Sequence, residues 1–188
     1  MNMVKKAQAN WWEEFYDDTF GDIVLKRENY QDLGRTVNFI KKYLHIDAGD
    51  TIFDQCCGTG SVSHALAGAG INTIGTDLID SYVATANDIA REKGLNARFT
   101  AADAFNFVAD KPCDAAINWY TSFGNSDDDD LNIEMIKRLY DSLKSGGYMA
   151  IDYFNTALKL RTATDGAVQE FSHQTNEGDI HVRRAFYL

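Results

Sequence analysis

The chain has 188 residues, of which 45% are hydrophobic, 24% charged and 12% aromatic, so one compact domain with a sizeable core is expected and disordered, collagen-like and coiled-coil chains are set aside. Eighteen lysines and arginines against 28 acids give a net charge of −10, a field that repels phosphate backbones and anionic lipid surfaces. No apolar run approaches the roughly 20 residues of a membrane helix, and Met1 to Trp11 holds no apolar signal core, so a cytoplasmic protein with no nucleic-acid or membrane partner is expected.

In chain order, Ala7 to Phe20 gathers Trp11, Trp12, Phe15, Tyr16 and Phe20 among acids, and Tyr30 to Leu44 sets Leu33, Val37, Ile40, Lys41 and Leu44 at helical spacing. Both segments read as helices. Short apolar runs follow at Thr51–Asp54, Asn72–Thr76, Ala97–Thr100, Ala115–Trp119 and Tyr148–Tyr153, and they read as buried strands. Helix-compatible stretches at Ser61–Ala69, Ser81–Lys93 and Leu131–Leu143 separate most of them. Parallel neighbours need crossovers, which are right-handed, so the expected architecture is an open, doubly wound, mostly parallel α/β sheet. Beyond Thr156 the period drops to two: Val168–Gln174, a turn at Asn176–Asp179 and an alternating run from Ile180 to Leu188 predict an antiparallel hairpin.

Cys56 and Cys57 are adjacent and Cys113 stands alone, which builds neither a disulfide framework nor paired zinc knuckles. The run Asp127 to Asp130 has the carboxylates of a hard-metal site, but directly before an amphipathic helix it reads as an N-terminal cap, and no metal is expected.

The chemistry concentrates in Thr51-Ile52-Phe53-Asp54-Gln55-Cys56-Cys57-Gly58-Thr59-Gly60-Ser61, where a strand meets an acid, small residues and Gly-Thr-Gly at the mouth of a helix. Glycine permits a tight turn and close approach, and the helix N-terminus offers free N–H groups and partial positive charge. Such a turn also serves packing alone in many proteins. Spacing adds to the signal: Asp77 ends the second strand 17 positions past Gly60, where doubly wound folds place a carboxylate on ribose hydroxyls, and Asp103 follows the third strand. Asp54, Asp77 and Asp103 therefore share the carboxyl edge of the sheet. A nicotinamide site wants G-x-G-x-x-G, and Ser63 stands where its third glycine belongs.

The D-x-x-C-G-T-G arrangement resembles motif I of the class I S-adenosylmethionine-dependent methyltransferases, and the resemblance runs from about Thr51 to Tyr153. It implies a Rossmann-like core with S-adenosylmethionine as cofactor and S-adenosylhomocysteine as product. By the same resemblance Asp54 lies near the cofactor ammonium, Cys56, Gly58 and Gly60 pass its methionine moiety, and Asp77 bonds the ribose. Leu78 lies beside the adenine, Ala102 and Asp103 meet its amino edge, and Asn118 and Trp119 end motif IV under the methyl group. Cys56 departs from the glycine of many members. The N-terminal aromatic segment resembles the lid helix of small-molecule members, with Tyr16 as the closing residue; plain amphipathic packing explains the same aromatics.

Tyr120, Thr121 and Ser122, just past motif IV, are expected to line the acceptor pocket; capping a turn explains them equally well. Among the histidines, His45 and His64 hold structural positions, and His173 on the hairpin is the candidate general base; a solvated strand histidine is the alternative. The expected division is 1–46 as lid region, 47–155 as cofactor core and 156–188 as hairpin. The family usually carries two further strands beside the fifth. Three outcomes are open: a truncated chain, coverage by a partner subunit in a homodimer, or a hairpin that itself supplies them. The leading expectation is methyl transfer to O or N of a small-molecule acceptor. A cofactor-binding protein without turnover, or a nicotinamide oxidoreductase, are the alternatives.

Overall fold

The computed structural model describes residues 11–21, 25, 30–162, 164–175 and 178–185. The chain divides into two compact units, residues 1–152 and 153–188.

In the first unit, two short helices, α1 (Trp12–Phe15) and α2 (Asp18–Phe20), precede α3 (Tyr30–Leu44). The single helix expected over Ala7–Phe20 is therefore broken, and its residues 7–10 lie outside the described set. The break follows from Asp17, which leaves helical geometry at φ −111°, ψ 178° and turns its carboxylate onto the Phe20 N–H at 2.8 Å, capping α2. Then come β1 (Thr51–Gln55), α4 (Ser61–Gly68), β2 (Asn72–Asp77), α5 (Asp80–Glu92), β3 (Ala97–Ala101), β4 (Cys113–Asn118), α6 (Asp129–Asp141) and β5 (Leu143–Ile151). The strands form one all-parallel sheet in the order β3-β2-β1-β4-β5, so the doubly wound reading holds.

All five β1 residues are buried, as a central strand with both faces covered requires. On one face Ile52, Ala115 and Ile117 pack with Leu33, Val37, Ile40 and Leu44 of α3 and Val62 and Leu66 of α4. Beside them Phe99 packs with Val83, Ala86 and Ala90 of α5. On the other face Phe53, Ile74 and Ala116 meet Leu139 of α6. Leu139 is fully buried and contributes about 1.5–3 kcal/mol. Helices on both faces leave the carboxyl ends of the strands as the open rim.

Leu143, expected to close a helix, instead begins β5, which starts earlier than the run Tyr148–Tyr153. The β4–β5 register shifts between Cys113 and Ala115, and Gly146 at φ +81° lets the backbone take up the irregularity. Among the described residues β5 pairs with β4 alone, and its Tyr148 and Met149 are exposed.

The second unit holds α7 (Thr156–Thr162), β6 (Val168–Thr175) and β7 (Gly178–Ala185). The predicted antiparallel hairpin is present, from Val168 opposite Ala185 to Thr175 opposite Gly178. It makes a two-stranded sheet of its own, so it does not supply the sixth and seventh strands of the parallel sheet. Alternation fixes which residues share a face but says nothing of which sheet a hairpin joins. Among the described residues no helix is long and apolar enough to cross a membrane, and no group of three or more His, Cys, Asp or Glu is arranged to hold a metal ion.

Candidate functional site

The turn after β1 carries three left-handed residues in five positions, Cys56 at φ 59°, Gly58 at φ 56° and Gly60 at φ 79°. Gly60 has a steric reason beyond its dihedral: a Cβ there would come within 2.9 Å of His64 Cε1. As the N-cap of α4 it supplies no side-chain acceptor, so the first N–H groups of that helix remain available to a ligand. Cys56 accepts the same backbone region without glycine's freedom, a local cost of about 1–2 kcal/mol. Burial pushes its thiol well above the ordinary range, with the Asp77 and Asp54 charges adding to the effect and a bond to Ser122 opposing it. The thiol is neutral at pH 7.

Two acids bracket this turn. Asp54 is 2% exposed and its carboxylate accepts the Ser63 hydroxyl at 2.6 Å. Burial is the main force pushing its pKa up to about 7; the Ser63 bond resists and the nearby Asp77 charge assists. Asp77, at the end of β2, accepts the Gly58 N–H at 2.7 Å and the Ile79 N–H at 3.1 Å. Burial raises its pKa too, opposed by those backbone bonds.

Past β3, Asp103 folds the chain into a turn: its Oδ1 accepts the Phe105 N–H at 2.9 Å and its Oδ2 the Asn106 side-chain amide at 3.1 Å. Ala102 is anchored by its N–H to the Asp77 carbonyl at 2.9 Å. Asp103, Leu78 and Phe105 line a cavity of about 270 Å³, walled further by Trp12 of α1 and by Leu131 and Arg138 of α6. Leu78, 41% exposed, offers this cavity an apolar surface.

Residues 11–21 and Leu25 approach the rim from several sides. Trp11 donates its indole N–H to the Asn125 carbonyl at 3.0 Å, the Trp12 ring lies 6.0 Å from that of Phe105, and Tyr82 of α5 donates its hydroxyl to the Asp17 carbonyl at 2.5 Å. Leu25 lies over the glycine turn, its carbonyl accepting the Ser61 hydroxyl at 3.0 Å. Tyr16 is held neutral by burial, with a bond to the Asn125 side chain opposing and the Asp77 charge reinforcing.

The rim therefore brings Tyr16, Asp54, Cys56, Gly58, Gly60, Asp77, Leu78, Ala102 and Asp103 to one side of the sheet. The other expected residues lie at the end of β4, in the loop after it and on the hairpin. Asn118 is 1% exposed, and its amide is committed to Gln55, Met135 and the Phe123 N–H, so it supports the loop from within instead of presenting its side chain to a ligand. Trp119 and Tyr120 pack their rings against the core beneath α3. Tyr120 at φ 65° and Thr121 at φ 67° form a left-handed pair, and Asp152 accepts the Tyr120 N–H at 3.2 Å. The backbone of His173 pairs with Ile180 within the hairpin unit, and its side chain lies outside the described residues.

His64 is tied to the Ala86 carbonyl at 2.9 Å, and burial lowers its pKa, in line with a structural position. The acid run does cap: Asp128 accepts the Asp130 N–H at 2.8 Å at the start of α6. Phe105, Arg138 and Gln55 were given no role in the sequence reading. Gln55 alone left a signal, a long polar side chain in a strand otherwise fit for burial.

Comparison with known proteins adds an independent line. Residues 52–147 match a family model described as a methyltransferase domain. A ubiquinone biosynthesis O-methyltransferase of Rickettsia felis is 28% identical over 113 residues, 60% of this chain and 45% of the relative. An uncharacterized RNA methyltransferase of Halalkalibacterium halodurans is 27% identical over 107 residues, 53% of this chain and 23% of that protein. The chain thus spans less than half the length of both curated relatives. The crystal structure of an S-adenosylmethionine-dependent methyltransferase from Clostridium acetobutylicum superposes with a TM-score of 0.66 over 94% of this chain and 80% of its own, at 17% identity, a likeness of fold.

Proposed function

Because this chain belongs to the methyltransferase domain family, whose model takes in residues 52–147, we propose that it transfers a methyl group from S-adenosylmethionine to an oxygen or nitrogen of a small-molecule acceptor, leaving S-adenosylhomocysteine. The observation that carries this reading is the set of three acids, Asp54, Asp77 and Asp103, at the carboxyl ends of β1, β2 and β3, with Asp77 bonded to the glycine turn.

The residues suit the cofactor chemically. Asp54 and Asp77 are carboxylates whose bonds run to a hydroxyl and to backbone N–H groups, so a ligand ammonium and ribose hydroxyls find acceptors there. The uncapped start of α4 suits a carboxylate, and the cavity beside Leu78 and Asp103 suits an adenine. When bound, the cofactor supplies an electrophilic methyl carbon on a positively charged sulfur.

The chain's part is to bind and orient. Leu25 excludes water over the glycine turn, which strengthens each electrostatic contact beneath it. Tyr16 and Ser122 border the methyl end and set the approach of the acceptor, where alignment alone is a large share of catalysis. His173 is the proposed base for an acceptor that arrives protonated. Residues 1–46 act as the lid region and 47–155 as the cofactor core, and 156–188 form a hairpin region of their own. The net charge of −10 supports a small acceptor over a nucleic acid, the RNA methyltransferase relative notwithstanding.

Calorimetry with S-adenosylhomocysteine tests the reading. Saturable binding that weakens in Asp77→Ala is expected, and binding of NAD with none of S-adenosylhomocysteine overturns it.

A further inference from the structure

Beneath the rim, on the α6 face of the sheet, lies a polar pair that catalysis as described does not use. Gln55 ends β1 and Asn118 ends β4; they are register partners, and each is 1% exposed. Gln55 Nε2 donates to the Met135 carbonyl at 3.0 Å and to the Ala104 carbonyl at 3.3 Å. That leaves Gln55 Oε1 toward Asn118, whose Nδ2 donates to it at 3.1 Å. Asn118 Oδ1 then accepts the Phe123 N–H at 3.1 Å.

The direction of each bond dictates the next. Two carbonyls at one end admit only a donor, so Gln55 has one amide orientation, Asn118 has one, and the last acceptor can serve only an N–H. A buried chain of this kind is rigid, because flipping any member leaves unpaired polar atoms at about 1–3 kcal/mol each. Its ends are not equivalent. Ala104 sits between Asp103 and Phe105, two walls of the cavity. Phe123 sits in the loop 119–126, which contains the left-handed pair Tyr120–Thr121, bonds Cys56 through Ser122 and holds Trp11 through Asn125.

We propose that Gln55 and Asn118 are positioning residues that couple occupancy of the cavity beside Asp103 to the ordering of the loop 119–126. A purine held at Asp103 and Phe105 restrains the Ala104 carbonyl; the two amides pass that restraint to the Phe123 N–H and so to the loop that borders the methyl end. Filling one end of the cleft thereby readies the other for the acceptor. The inference rests on the reading of that cavity as the adenine end of the cofactor site.

The test uses adenosine and S-adenosylhomocysteine on the whole chain, with hydrogen exchange read at residues 119–126. Adenosine reaches the purine end without a methionine tail, so protection of the distant loop reports the relay. Adenosine is expected to slow exchange of the Phe123 amide by roughly tenfold, within the range of ordinary coupling between sites. The Asn118→Leu variant should bind adenosine and lose most of that slowing. Where Asn118→Leu fails to fold, the double variant Gln55→Leu/Asn118→Leu removes both amides together, so that neither is left facing an apolar group, while the Ala104 carbonyl and the Phe123 N–H give up these partners. A purely structural role would change the baseline exchange of the loop but not its response to adenosine. Binding without loop protection in the native chain, or equal protection in the variants, overturns the relay and leaves the cofactor reading intact. Binding of neither ligand overturns both.

Discussion

The Asp77 carboxylate holds the Gly58 N–H at 2.7 Å, so the acid that ends β2 and the glycine turn that follows β1 form one bonded unit. An acid in this position both shapes the turn and offers its remaining lone pairs to a ligand.

Replacing Asp77 with alanine removes both functions. S-adenosylhomocysteine affinity, measured by calorimetry, should fall by about 1–3 kcal/mol, the cost of losing bonds to a charged acceptor. An affinity equal to that of the native chain would reject the assignment of Asp77 to the ribose.

Asp54 predicts a pH dependence of defined sign. Its folded pKa of about 7 lies above its ordinary 3.8 because burial penalises the carboxylate. The ligand-free protein therefore gains stability from this group that is complete below about pH 4 and is lost as pH rises toward 7. A bound ammonium favours the carboxylate, so S-adenosylhomocysteine affinity should rise between pH 5 and about 8, with proton release on binding near pH 6. Calorimetry in buffers of different ionisation enthalpy measures the released proton, and Asp54→Asn should abolish it. Proton uptake on binding would contradict this account.

The acid run predicts a stability effect without a metal. Asp128 caps α6 through the N–H groups of Asp130 and Leu131, so Asp128→Ala should lower stability by about 1 kcal/mol. Thermal melts with and without Ca²⁺, Mg²⁺ or a chelator should coincide for the native chain. A calcium-dependent rise in melting temperature would restore the hard-metal reading.

Two variants separate the groups proposed to act on the acceptor. Tyr16→Phe keeps the ring in its aromatic cluster but removes the hydroxyl, and turnover should drop by roughly tenfold or more with cofactor affinity nearly unchanged. His173→Ala should likewise slow turnover and spare cofactor binding. Undiminished turnover on the true acceptor would remove either residue from the mechanism.

The rim proposed to hold the cofactor was readable because it is built from local signals. Asp54, Gly58, Gly60, Asp77 and Asp103 each sit just past an apolar run, and the alternation of strand and helix carries every such position to the same sheet edge. The cap at Asp128 was readable for the same reason, since a cap and its helix are neighbours in sequence. The walls of the cavity were not. Trp12, Phe105 and Arg138 meet across separations that no local pattern records, and Arg138 reaches the Phe105 carbonyl from α6 at 3.3 Å.

Periodicity, turn chemistry and the placement of acids were enough to determine an open parallel sheet with a ligand edge, since each depends on a few adjacent residues and on the fixed geometry of strands and helices. Only the folded chain decided that Asn118 turns inward to Gln55 while Trp11 reaches the Asn125 carbonyl. The partners of a long polar side chain are chosen by whichever donors and acceptors packing brings within about 3 Å, and that choice is made in space and not along the chain.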